Sequence, residues 1–237
     1  MVSLSLDNYY VDRADTPRDE QGRPDFEALE AIDLDLFHGH LAELMAGREV
    51  LTPRFNFVSG LREPAAKWVP MRLEEHQLLV VEGIHGLNDR LTQTIPQNQK
   101  YRIFISALSQ LAIDDNNRIF TSDTRLIRRI VRDHLFRGFT AERTLDLWER
   151  VRRGEGKWIF PFQEQADVMF NSALVYEPAV LKVFAERYLL QVPRTSPTYA
   201  EAYRLLKHLA MFVPIFPDEV PSTSILREYI GGSTFSY

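Results

Sequence analysis

Leu78-Leu-Val-Val-Glu-Gly83 is the stretch on which the fold is read. Four apolar residues, two of them β-branched, run straight into a carboxylate and a glycine. That is how a strand buried on both faces ends at a sharp turn. The same texture opens the chain, where Val2-Ser-Leu-Ser-Leu6 meets Asp7, and returns over Tyr101–Leu108 and, more weakly, Asp167–Leu174. Helical patterns lie between. Ile32–Met45 sets Leu34, Phe37, Leu41, Leu44 and Met45 on one stripe, closed by Gly47. Strands alternating with helices of this length predict right-handed βαβ units, an α/β fold with a mainly parallel sheet and flanking helices.

In open parallel sheets, ligands sit beyond the carboxyl ends of the strands. The first strand ends at Asp7 and the next at Glu82-Gly83. A carboxylate at each of two strand ends suits proton abstraction or Mg²⁺, which takes one or two carboxylates plus phosphates and water. Singly, such acids are more often caps or loop residues; as a pair they are more informative. A helix from about Thr124 places Arg125, Arg129 and Arg132 on one face and Ile127, Ile130 and Val131 on another. Arg128 lies between, and Arg137-Gly138 closes the helix. Planar, always-charged forks on one rigid surface suit phosphate oxygens. A solvated helix laced with salt bridges explains the same pattern equally well.

The 237 residues are 45% apolar and 26% charged, enough for one large domain or two small ones. There is no Cys, no apolar run of membrane-spanning length, and no secretory leader in Met1–Asp7, so a cytoplasmic protein is expected. A net charge of −5 excludes a generally basic binder of duplex nucleic acid. From Arg118 to Lys157, however, eleven Lys or Arg face six acids, an island that suggests a local anion site. After Pro193 the texture changes to a helical pattern over Tyr199–Phe212 and a Pro-rich tail. Residues 1–192 are therefore expected as the α/β domain, and 193–237 as a C-terminal helix and tail packed on it. His38-Gly-His40 lacks a third zinc ligand, and no G-x-S-x-G supports a seryl nucleophile. His85 reads equally as a pocket residue or a structural one. Trp158-Ile-Phe-Pro-Phe162 reads as core before base-stacking platform.

Taken together, these segments resemble the uridine kinase/phosphoribulokinase family of nucleotide-dependent kinases, almost end to end. The likeness is carried by Leu4-Ser-Leu-Asp-Asn-Tyr-Tyr10, Asp25-Phe-Glu27, Pro53–Arg62, Val81-Glu-Gly-Ile-His85 and Asp123–Asp133, with Arg137-Gly138 after them. Within the family, the chain resembles the longer bacterial uridine-kinase-like proteins, in which the kinase domain ends in a segment like Ser224–Ser233. The resemblance implies a three-layer P-loop-kinase-like sheet and transfer of phosphate from ATP, with Mg²⁺, to a hydroxyl of a nucleoside-like small molecule. It makes Asp7 the general base, with Mg²⁺ near Asp7 and Glu82. Tyr10, Glu27, Phe55 and Arg62 become acceptor-binding, and Arg125, Arg129, Arg132 and Arg137 phosphate-binding. The expected partners are nucleotide and small-molecule substrate, without membrane; a homo-oligomer is compatible.

The departures are specific. No G-x-x-x-x-G-K-[ST] occurs in the 237 residues; the nearest echo, Gly154-Glu-Gly-Lys157, continues into Trp158. The family's first strand, P-loop and first helix would precede Val2. The chain on its own is accordingly expected to be inactive or poorly folded. Phe55 stands where uridine kinases place a hydroxylated aromatic and Gly60 where they have a histidine, which weakens the case for uridine itself. The rival expectation is a non-catalytic anion- or nucleotide-binding module derived from such a kinase.

Overall fold

A computed structural model describes residues 1–57 and 59–235; Val58, Ser236 and Tyr237, one in the Pro53–Arg62 motif and two in the tail, lie outside the described residues. In chain order the strands are β1 (Val2–Ser5), β2 (Val50–Thr52), β3 (Phe55–Asn56), β4 (Leu61–Arg62), β5 (Val69–Met71), β6 (Leu79–Glu82), β7 (Ile103–Ser106) and β8 (Val168–Asn171). The helices are α1 (Leu34–Met45), α2 (Thr121–Arg137), α3 (Ala141–Trp158), α4 (Glu177–Leu189), α5 (Tyr199–Leu209) and α6 (Arg227–Ile230). Two compact units result. One comprises residues 1–104 and 151–168, the other 105–150 and 169–237, the division falling within β7, α3 and β8.

In the first unit β1 and β6 pair in parallel, Val2 opposite Leu79 and Ser5 opposite Glu82. α1 begins where the Asp33 carboxylate accepts the Leu36 N–H at 3.0 Å, a side-chain N-cap. Its buried residues are Phe37, Leu41 and Leu44, one face at i, i+4 and i+7; Met45, expected on that stripe, is exposed. That face packs with Leu4, Leu6, Tyr9, Leu29 and Ile32 into the unit's core. Two antiparallel pairs, β2 with β5 and β3 with β4, were not apparent from periodicity, since strands of two or three residues are too short to show one.

β7 and β8 form the second parallel ladder. The Asp167 N–H bonds the Arg102 carbonyl at 2.9 Å and the Ser172 N–H the Ser106 carbonyl at 2.8 Å, so both strands advance together. The mixed α/β class and the parallel pairing hold. Among the described residues the strands lie in four two-stranded ladders rather than one wide sheet. Both parallel ladders leave large apolar side chains exposed, including Val80 on β6, Ile105 on β7 and Phe170 on β8, unusual for parallel strands.

The second unit is built around α2. Leu126, Ile127, Ile130 and Val131 pack with α4 and α5 through Leu181, Ala185, Leu189, Leu205 and Leu209. The segment from 193 onward lies in this unit, where Val220 and Leu226 close a small cluster over Val180. α2 starts three residues before the expected Thr124, and the helix over Tyr199–Phe212 ends at Leu209.

Candidate functional site

The register that pairs Ser5 with Glu82 puts the two strand-end acids on neighbouring strands of one parallel ladder. Asp7 follows two residues later in a 3₁₀ turn, Leu6–Tyr9, and is half-buried; Glu82 is exposed. Gly83 makes this proximity possible. Its φ is +146°, and a Cβ there would lie 2.7 Å from the Leu6 Cβ. The end of β6 therefore packs its backbone directly on the residue that precedes Asp7. Gly83→Ala should cost roughly 2 kcal/mol or more, from backbone strain and overpacking together. Urea unfolding with an unchanged midpoint would contradict this.

Arg62 is expected among the acceptor-binding residues, and both of its Nη groups bond the scaffold. One Nη donates to the Asp33 carboxylate at 3.0 Å, and the other to the carbonyls of Tyr9 and Tyr10 at 3.5 and 3.3 Å. Its backbone N–H bonds the Asp12 carboxylate at 2.8 Å. Arg62 thus ties the turn carrying Asp7 to the start of α1 and to β4. Tyr9 and Tyr10 diverge. Tyr9 is fully buried, meeting His40 Nδ1 at 2.9 Å and the Phe37 ring edge-on. Tyr10 faces the other way and packs against Phe55 and Phe57. Glu27 is half-buried, and Gly154 lies against it: a Cβ at 154 would fall 2.5 Å from the Glu27 Cβ. The glycine pair of α3 has no place in a phosphate loop here; Gly154 instead lets helix and Glu27 touch.

His85 is 1% exposed, stands edge-to-face with Trp158 at 6.2 Å, and neither ring nitrogen has a hydrogen-bond partner of sound geometry. Burial holds its pKa down to about 4, tempered by the nearby backbone of Ala28 and Glu27 and by the charges of Glu30 and Asp25. A base depressed in the folded state stabilises the fold in its neutral form. The unfolded chain takes up the proton first, so stability is lost as pH falls from about 6.5 towards 4, by roughly 3 kcal/mol for this group. Unfolding free energies at pH 7 and pH 5 should differ more for the wild type than for His85→Gln. Equal differences would contradict the assignment.

In the second unit the arginines of α2 fall into two kinds. Arg128 is 5% exposed and structural: its guanidinium donates to Glu177, which is fully buried, and to the Ser172 carbonyl at 2.7 Å. Arg129, Arg132 and Arg137 are partly exposed. Arg129 and Arg137 share Asp133, at 3.4 and 3.1 Å, and Arg132 lies 3.7 Å from Glu228 on α6. The Nε groups of Arg129 and Arg132 make no hydrogen bond. Arg125 is half-buried on the same helix. The salt-bridge pattern is thus present along the arginine face of α2.

Could these residues hold Mg²⁺? No group of three or more metal-ligating side chains exists among the described residues. A magnesium site does not need one, because phosphates and water complete its shell. The acids at the ends of β1 and β6 fit that donor set. Among the described residues no helix is long and apolar enough to cross a membrane.

Residues 1–176 match the model of the phosphoribulokinase/uridine kinase family. Similar curated proteins include the uridine kinase of Deinococcus deserti, 27% identical over 178 residues, covering 75% of this chain and 76% of that protein. The uridine kinase of Chloroflexus aurantiacus is 27% identical over 171 residues, 72% of each chain. That of Halobacterium salinarum is 26% identical over 167 residues, 70% of this chain and 65% of the relative.

Proposed function

We propose, from the premise that this chain belongs to the phosphoribulokinase/uridine kinase family, that it is the acceptor-binding and catalytic part of a kinase. The reaction proposed is phosphoryl transfer from ATP to a hydroxyl of a nucleoside-like small molecule. The observation that carries it is the Ser5–Glu82 register, with Asp7 two residues on and Gly83 packed against Leu6. Relatives named uridine kinase support the nucleoside-kinase class.

In this mechanism the Asp7 carboxylate accepts the proton of the acceptor hydroxyl as its oxygen bonds the terminal phosphorus and the bond to the ADP oxygen breaks. Arg62 acts as a positioning residue, holding the turn on which Asp7 sits. Tyr10, Glu27 and Phe55 line the acceptor side. Glu82 and Asp7 would hold Mg²⁺, which offsets charge on the phosphates when bound. Arg125, Arg129, Arg132 and Arg137 take the phosphate-contacting role by resemblance. Residues 1–192 are the kinase-like domain, 193–237 its appendage, and the cytoplasm its compartment.

The 237 residues contain no G-x-x-x-x-G-K-[ST], so the phosphate cradle in this proposal is supplied from outside them. The exposed Val80 of β6, and Leu78 just before it, support a further packed layer over that face. The second reading, an anion- or nucleotide-binding module, is favoured by the same missing motif and by the ion pairs that engage the α2 arginines. ADP release by the polypeptide expressed from its full open reading frame separates the two. Acceptor-dependent, Mg²⁺-dependent release supports the kinase, and ATP binding without release supports the module.

A further inference from the structure

The hairpin β3–β4 carries an aromatic surface that core packing does not explain. Phe55 lies in β3 and Phe57 just beyond it, at the start of the turn. Their rings lie 5.2 Å apart, edge-on, and the Tyr10 ring lies 5.7 and 6.1 Å from them. None of the three belongs to the unit's buried core, and Phe57 is 56% exposed. The trio brings a single polar atom, the Tyr10 hydroxyl, which donates to the Phe26 carbonyl at 3.3 Å. A pyrimidine edge would meet little here to pair with, whereas the flat faces suit stacking.

The turn that follows Phe57 supplies a charge. Gly60 has φ +72°, and a Cβ there would stand 2.6–2.9 Å from the Arg13 guanidinium, so the fork occupies the space a side chain at 60 would need. The Arg13 N–H bonds the Gly60 carbonyl at 2.9 Å, which fixes this strand of chain against the turn. Arg13 is exposed and pairs with no acid among the described residues. The nearby carboxylates are engaged: Asp12 accepts the Arg62 N–H, and Glu63 pairs with Lys67 and Asn56. An exposed guanidinium held at the turn that follows Phe57 is complementary, together with the aromatic trio, to a planar apolar ring bearing an anionic group.

We infer that the acceptor is an alcohol with a flat, weakly polar ring and a carboxylate or phosphate. Tyr10, Phe55 and Phe57 stack the ring and Arg13 binds the anion. This rests on the kinase reading for the hydroxyl's fate, but recognition can be read without it. The test is calorimetry without nucleotide on the polypeptide from the full open reading frame. The probes are para-hydroxymethylbenzoate, benzyl alcohol, glycerol phosphate and uridine. The charged ring should bind at least about tenfold tighter than each of the others. Arg13→Ala should bring the benzoate to the level of benzyl alcohol, and Phe57→Ala should weaken both ring probes. Uridine binding as well as the benzoate, a preference unchanged in Arg13→Ala, or no binding of either ring probe would overturn the inference. Failure of the kinase reading looks different: the benzoate binds through Arg13, yet no acceptor-dependent ADP forms.

Discussion

Arg128→Met should destabilise the protein by about 3–5 kcal/mol, the cost of stranding one charge of a buried pair. Glu177 is fully buried, and its carboxylate takes the Arg128 Nη2 at 2.6 Å and the Leu174 N–H at 3.3 Å. Without the guanidinium it keeps its burial and loses its counter-charge, and the Ser172 carbonyl loses a donor as well. The double variant Arg128→Met, Glu177→Met should recover much of the loss, because two apolar side chains leave no uncompensated charge. Chemical unfolding of the three proteins checks this. A single variant within about 1 kcal/mol of wild type would show that the pair is not buried as described.

Asp7→Asn should lower kcat by at least about 10²-fold, the usual scale for removing a general base, with the melting temperature unchanged. The amide matches the carboxylate in volume but takes up no proton at neutral pH. The turn that carries Asp7 is held by Arg62 and by packing around Leu6. A variant that turns over near the wild-type rate removes Asp7 from the role. One that melts well below wild type makes it a structural acid.

What was legible in the sequence was what local pattern encodes. The apolar runs ending in Asp7 and Glu82 announced β1 and β6 within a residue, because apolar and β-branched composition marks a strand, although no residue of β6 is buried. The α1 stripe was equally plain. Arg128 was legible as a helix residue, but not as a buried one, since its partners Glu177 and Ser172 lie more than forty positions along the chain. The hairpin β3–β4 was invisible for a similar reason. Two-residue strands have no period, and tertiary bonds from Arg13, Asp12 and Asn8 to residues 55–62 hold it in place. Gly60 could have been a pointer, since a glycine leaves space that another side chain can take. Arg13 has taken it.

Transfer of label from terminal-phosphate-labelled ATP tests the central claim most directly. The polypeptide expressed from its full open reading frame is incubated with Mg²⁺ and a panel of nucleosides and ring-bearing alcohols, alongside Asp7→Asn. The kinase account predicts label on an acceptor hydroxyl, dependent on Mg²⁺, and a rate at least about 10²-fold lower in the variant. Bound ATP with no labelled acceptor, or equal labelling by both proteins, would contradict it.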